Sequence, residues 1–299
     1  MKKVRFKKID AFARGLSSGN PAGCVYLDEV SLTEAEMLQI ARELKGYVNE
    51  VVFAKTNEDN EIPYSLSYYS SECRVDFCGH GTIACMYDLI SNDKNLINLT
   101  HIAIDVAGTK LMVLNEIGKE DAIYIAAPQP RFIHTELSSS AVARALDIAT
   151  EEINLNTPIA LVNSGLDTLL VPINNLKTCL NISPDINSLK VFCEDNHIEI
   201  ILIYSQEVSY RNHGYRTRVF APRFGYLEDP ATGSGNSAFA NHLLRSGRWD
   251  GANLIIEQGT SSDNPNIIKL RTCSSGCDFP QVLFGGGALV RIEGVYCLN

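Results

Sequence analysis

The sequence predicts an α+β chain of two similar domains, and three observations carry that prediction. Short stretches of strand character alternate with a few helical stretches along all 299 residues. A glycine motif in the first half recurs in the second. A proline-marked connection, Pro128-Gln129-Pro130, falls between the two copies, near the middle of the chain. A chain of this length has room for about two domains of ordinary size.

The elements follow in order. Lys3 to Asp10 sets Val4 and Phe6 against lysines and reads as a first strand. Thr33-Glu34-Ala35-Glu36 is a capping box, with Met37, Ile40, Ala41 and Leu44 at helical spacing behind it and Gly46 to close the helix. Strand patterns then run over Val51 to Ala54, Leu66 to Tyr69, Ile102 to Val106, Leu111 to Leu114 and Ala122 to Ala126. The second half repeats the style at Ile159 to Val162, Thr168 to Val171, Ile198 to Ile203, Thr217 to Phe220, Leu254 to Glu257 and Val282 to Ile292. Cys78-Gly79-His80-Gly81-Thr82-Ile83-Ala84 matches Thr232-Gly233-Ser234-Gly235-Asn236-Ser237-Ala238, with Gly79 recurring as Gly233, 154 positions on. Each copy follows a β-rich stretch and precedes an amphipathic helical pattern, marked by Met86, Leu89 and Ile90 in the first and Phe239, Leu243 and Leu244 in the second.

Composition narrows the function. Hydrophobic residues are 45% and charged residues 20%, as in a folded globular chain. Lys and Arg total 26 against 35 Asp and Glu, a net charge of −9 that is unsuited to coating a nucleic-acid backbone. The basic run Lys2-Lys3-Val4-Arg5-Phe6-Lys7-Lys8 reads as the solvated face of the first strand. No run approaches the roughly 20 apolar residues of a membrane span. The reading is a soluble, cytoplasmic protein without nucleic-acid or membrane partners. Nine cysteines, an odd and scattered set, fit a reducing compartment. Cys273 and Cys277 form a close late pair, but neither cysteines nor histidines supply a second ligand pair, so no metal is expected.

A Gly-x-Gly turn that opens a helix leaves backbone N–H groups without intrahelical partners, and the helix dipole favours an anion there. Two such turns, one per domain, would suit a small carboxylate in a cleft between the domains. Glycine spacing alone favours the plainer reading, that both are merely tight strand-to-helix turns. No lysine follows these glycines, so this is no Walker-type phosphate loop, and the dinucleotide-binding glycine pattern is absent too.

A longer set of motifs carries a family resemblance. Asp10-Ala11-Phe12, Gly19-Asn20-Pro21-Ala22-Gly23, Asn49-Glu50-Val51-Val52-Phe53, Cys78-Gly79-His80-Gly81-Thr82 and Glu228-Asp229-Pro230-Ala231-Thr232-Gly233-Ser234 occur in this order. Phe220-Ala221-Pro222, Glu257-Gln258-Gly259 and Gly285-Gly286-Gly287-Ala288 add to it. Together they resemble the PhzF-like phenazine-biosynthesis family, with its two-domain diaminopimelate epimerase-like fold, from about Phe6 to Val295. The resemblance implies two domains related by pseudo-twofold symmetry, each a mostly antiparallel sheet wrapped around a central helix. It places domain boundaries at 1–127 and 128–287, with a final strand at about 288–299 returning to the first domain.

For function the resemblance implies a cofactor-independent isomerase that moves a proton on a small, cyclic carboxylic acid by general acid–base catalysis, and a homodimer. The catalytic glutamate maps to Glu50, whose neighbours Val48, Val51, Val52 and Phe53 are apolar, a setting that raises a carboxyl pKa. His80 and Asp229 match the other polar catalytic positions. Asn20, Cys78, Gly79, Gly81, Thr232, Gly233 and Ser234 match substrate-binding ones. Related epimerases and racemases of this fold place a thiol before each glycine turn. Here Cys78 holds the first place but Thr232 the second, a hydroxyl with no evident base. An epimerase or racemase of an amino or hydroxy acid is the enzymatic alternative, and a non-catalytic small-molecule binding protein on the same scaffold is the other.

Overall fold

The computed structural model describes residues 1–59, 61–273 and 280–299, so Cys277 lies outside the described residues. The chain forms two compact units, Met1–Ile125 with Gly285–Asn299, and Ala126–Phe284.

The first unit is built from β1 (Lys2–Ala11), β2 (Asn20–Tyr26), α1 (Glu34–Glu43), β3 (Glu50–Thr56), β4 (Tyr64–Ser70), β5 (Arg74–Val75), α2 (Gly79–Asn92), β6 (His101–Val106), β7 (Thr109–Asn115), the single turn α3 (Ile117–Glu120) and β8 (Ile123–Ala126). β1 pairs antiparallel with β2. From there the order runs β2 parallel to β3, β3 antiparallel to β4, β4 parallel to β6, and β6, β7 and β8 antiparallel in turn. Each parallel step needs a crossover, and helices supply them: α1 between β2 and β3, α2 between β4 and β6.

Strand alternation sorts the side chains between those two helices. Val25, Val51 and Phe53 pack with Ile40 and Ala41 of α1 on one face. Residues of the opposite parity, Ala22, Cys24, Val52 and Glu50, lie on the face toward α2, which packs on β1, β2 and β3. Thr33 caps α1, accepting from the Glu36 N–H while the Glu36 carboxylate accepts from the Thr33 N–H.

The second unit contains β9 (Arg131–Ile133), α4 (Ser139–Ala145), β10 (Ala160–Asn163), β11 (Asp167–Pro172), α5 (Leu176–Asn181), α6 (Ile186–Asp195), β12 (Ile200–Ser205), β13 (Tyr215–Phe220), β14 (Glu228–Asp229), α7 (Gly233–Arg245), β15 (Leu254–Gln258), β16 (Asn266–Cys273) and most of β17 (Gln281–Gly286). Its pairing repeats that of the first unit step for step. β10 to β11 is antiparallel, β11 to β12 parallel, β12 to β13 antiparallel, β13 to β15 parallel and β15 to β16 antiparallel. The two-residue strand β14 folds back on β13 as β5 does on β4. Helix α7 packs on β10, β12 and β16, while α4 and α6 cover a separate cluster of Leu169, Val171, Ile201, Ile203 and Phe220.

Three local expectations are corrected. The pattern at Val282 to Ile292 is not one strand: it breaks at Gly287, whose carbonyl accepts from the Phe12 N–H, and continues as β18 (Ala288–Leu298) against β1. The helices α2 and α7 are not amphipathic as their sequence pattern reads, but are buried on most sides, in keeping with the central helix expected in each unit. Their buried residues run round the helix, from Ile83 to Met86 and again at Leu89 and Ile90 in α2, and from Gly235 to Leu243 in α7. Nor is the basic run of β1 wholly solvated. Lys7 is 6% exposed and paired at 2.9 Å with buried Asp88 of α2, whose other oxygen accepts from Tyr26. A buried helix carrying an acid needs that cation beneath it. Strand β2 gave no clear pattern because it opens on Asn20-Pro21-Ala22-Gly23, residues poor in strand propensity.

Candidate active site

In the first unit, Glu50 opens β3 opposite Ala22 of β2 and Ser70 of β4. Its parity turns it toward the start of α2. Helix α2 begins with Cys78 as N-cap, its thiol accepting the Gly81 N–H at 3.3 Å. His80 is the second residue of the helix. Its Nε2 lies 3.4 Å from Glu50 Oε2, and its Nδ1 lies 3.5 Å from Cys78 Sγ. The structure therefore brings Glu50, Cys78 and His80 together, their polar atoms within 4.8 Å of one another. Spacing rules in the sequence miss this grouping because a strand and a distant helix start supply it.

Electrostatically, Glu50 is the unusual member. Its side chain is 25% exposed, Oε2 accepts no hydrogen bond, and burial raises the carboxyl pKa from 4.5 to about 7. The cause is desolvation alone; of the apolar neighbours in sequence, only Val52 shares the face of Glu50, while Val48, Val51 and Phe53 pack on the α1 side of the sheet. Asn20, also buried, opens β2 on the same sheet. Gly79 is the first helical residue and Gly81 the third. A methyl group at Gly81 would meet Val52 Cγ2 at 2.7 Å and Cys78 Sγ at 3.0 Å, so this glycine serves close packing of helix on strand.

The second unit assembles a different set around the matching turn. Asp229 ends β14 and accepts a short hydrogen bond from the Thr232 hydroxyl, which supplies the base beside Thr232 that the sequence left out. The Thr232 N–H donates to Gln258 Oε1 at 3.0 Å, and Gln258 Nε2 donates to the Asp229 carbonyl at 2.8 Å. Asn236 donates to the same Gln258 oxygen at 2.7 Å. Gln258 is thus a positioning residue that the sequence reading did not name, although it lies within the quoted Glu257-Gln258-Gly259 motif. Gly233 lies directly against the Phe284 ring, with no room for a side chain, and Ser234 is half-buried on the first turn of α7. Among the described residues no helix is long and apolar enough to cross a membrane.

Comparison with known proteins identifies the family. The family model described as phenazine biosynthesis-like protein, PhzC-PhzF, matches residues 9–294. An uncharacterized isomerase of Clostridium acetobutylicum is 26% identical, with 100% of each chain covered. An uncharacterized isomerase of Bacillus subtilis is 27% identical over 92% of this chain and 93% of its own. The crystal structure of a PhzF-family phenazine biosynthesis protein from Bacillus anthracis superposes with a TM-score of 0.86 over 100% of both chains at 24% identity. The chain belongs to the phenazine biosynthesis-like, PhzC-PhzF protein family, a family of isomerase type.

Proposed function

We propose that this protein is a cofactor-independent isomerase that moves a proton between carbons of a small carboxylic acid, with Glu50 as the general acid–base group. The observation that carries the reading is the buried Glu50 carboxyl, its pKa raised to about 7 and its Oε2 without a hydrogen bond, 3.4 Å from His80 Nε2. An isomerisation asks one group to take a proton and return it. A carboxyl that is about half ionised near neutral pH does both with little energetic bias. Glu50 would take a proton from the carbon beside an activating group and return it at a second carbon, while His80 orients the carboxyl and shares its proton.

The first turn of α2, at Gly79, supports an anchor for the substrate carboxylate, since helix starts favour anions by about 0.3–1 kcal/mol and more when partly buried. Gly81, whose N–H donates to Cys78 Sγ, lets the helix start pack closely there. The proposal keeps Asn20 beside that anchor. It gives Asp229, Thr232, Gly233 and Ser234 a substrate-handling role, supported by the repeated motif and by the Thr232–Asp229 hydrogen bond. It also takes the two units to be the two domains of a pseudo-twofold pair, which the repeated strand order supports.

A second reading has its own observation. Cys78 Sγ lies 3.5 Å from His80 Nδ1, an arrangement in which a thiol could pass its proton to imidazole and serve as the base of an epimerase. Deuterium uptake from heavy water into a pool of cyclic and amino carboxylic acids, followed across pH, separates the two. Glu50 chemistry predicts uptake that falls about tenfold per pH unit below about 7 and survives Cys78→Ser. Uptake abolished by Cys78→Ser but retained in Glu50→Gln would establish the epimerase reading instead.

A further inference from the structure

The grouping at the start of α2 combines three donor types that transition metals prefer: a carboxylate, a thiol and an imidazole. Zinc bonds of about 2.3 Å to sulfur and about 2.0–2.1 Å to nitrogen or oxygen, at tetrahedral angles, set ligand–ligand edges of about 3.6 Å for S–N and about 3.3 Å for N–O. The observed edges are 3.9 Å from Cys78 Sγ to His80 Nε2 and 3.4 Å from His80 Nε2 to Glu50 Oε2. The second already fits; because Sγ lies nearer Nδ1, at 3.5 Å, closing the first requires the imidazole and thiol to turn so that Nε2 faces the sulfur. Among the described residues, the three ligand atoms all lie within 4.8 Å of one another.

Two further features suit a cation. Glu50 Oε2 is buried with no hydrogen bond, so coordination would satisfy an oxygen that otherwise accepts nothing. The Gly81 N–H points at Cys78 Sγ and would stabilise the thiolate that a metal requires. Three protein ligands would leave a fourth position for water, the arrangement of an open rather than a closed structural site.

We propose that Glu50, Cys78 and His80 form a three-ligand site for a thiophilic divalent cation of the zinc class, and that its occupancy holds the isomerase inactive. Binding replaces the S–H bond of Cys78 by a sulfur–metal bond and releases that proton to solvent. It also displaces the proton from Glu50 when present and requires an unprotonated His80 nitrogen. The same oxygen and nitrogen that would move protons become ligands. The inhibitory part rests on the function proposed above; the binding part does not.

Cobalt(II) added to the whole metal-free protein tests binding without reference to activity. A thiolate-to-cobalt charge-transfer absorption should appear in wild type, be lost in Cys78→Ser, and persist in the surface-thiol variant Cys73→Ser/Cys297→Ser. Glu50→Gln should weaken binding while retaining the band, which keeps the test valid should Cys78→Ser fold poorly. Zinc at matching occupancy should abolish deuterium uptake, and a chelator should restore it. No band, or a band unchanged in Cys78→Ser, would overturn the site. A normal band with uptake unaffected by zinc would overturn the inhibitory role. A normal band in a protein that exchanges no carboxylic acid at all would keep the site and count against the catalytic reading alone.

Discussion

The two glycine turns share a sequence pattern and a place in their units, yet they are built to different ends. At the first, Cys78-Gly79-His80-Gly81, a carboxyl is largely desolvated with one buried oxygen accepting nothing, and its pKa rises to about 7. At the second, Thr232-Gly233-Ser234-Gly235, the acid receives the Thr232 hydroxyl, and Gln258 ties the turn to Asp229 and Asn236. A partly satisfied, desolvated carboxyl changes protonation easily. A cross-linked network holds its geometry. The two units share one order of strand pairing around both turns, and the proposed proton-transfer group stands at one.

The largest expected effect falls on that asymmetry. Glu50→Gln should lower substrate-dependent deuterium uptake about 100-fold or more, by mass spectrometry, because it removes the proposed acid–base group and keeps the shape. Asp229→Asn keeps an acceptor for Thr232 and should cost less; an equal loss at both positions would break the contrast between the turns.

Stability should show the same contrast with opposite sign. The Glu50 carboxyl has a pKa of 4.5 in the unfolded chain and about 7 in the folded one, so folding favours its protonated form. Stability therefore falls as pH rises from about 4.5 to about 7 and stays reduced above that, by about 3 kcal/mol. Glu50→Gln should then raise the melting temperature at pH 8 and leave it nearly unchanged at pH 4.

Thr232→Val removes a donor from a buried carboxylate and should destabilise by about 1–3 kcal/mol in denaturant titrations, whereas Glu50 Oε2 offers no comparable bond to lose. Gly233→Ala drives a methyl into Phe284 and should cost about 1–3 kcal/mol. The smallest effect is the control. Removing the exposed Lys45–Glu72 pair should change stability by less than about 1 kcal/mol.

Much of this was legible in the residues. The capping box at Thr33 and Glu36, the strand patterns on either side of each turn and the recurrence of Gly79 as Gly233 all rest on local chemistry that one chain displays. The raised pKa of Glu50 was expected from its apolar sequence neighbours, but Val48, Val51 and Phe53 pack on the other face of the sheet, and the desolvation comes with the fold. Contacts between distant elements were not legible. Lys7 looked like a surface lysine because Asp88, its partner, lies on another element. Thr232 seemed to lack a base although Asp229 stands three residues before it, because only the turn Asp229-Pro230-Ala231-Thr232 brings the carboxylate back onto the hydroxyl. The gathering of Glu50, Cys78 and His80 depends on β3 running beneath α2, which no spacing rule expresses.

The most direct test compares wild type and Glu50→Gln in deuterated water with the same pool of small carboxylic acids, reading deuterium at carbon by mass spectrometry and binding by the shift in melting temperature. The account predicts carbon-bound deuterium with wild type alone, and ligand-induced stabilisation in both proteins. Equal uptake by the two, or ligands that stabilise both while neither exchanges, would contradict it.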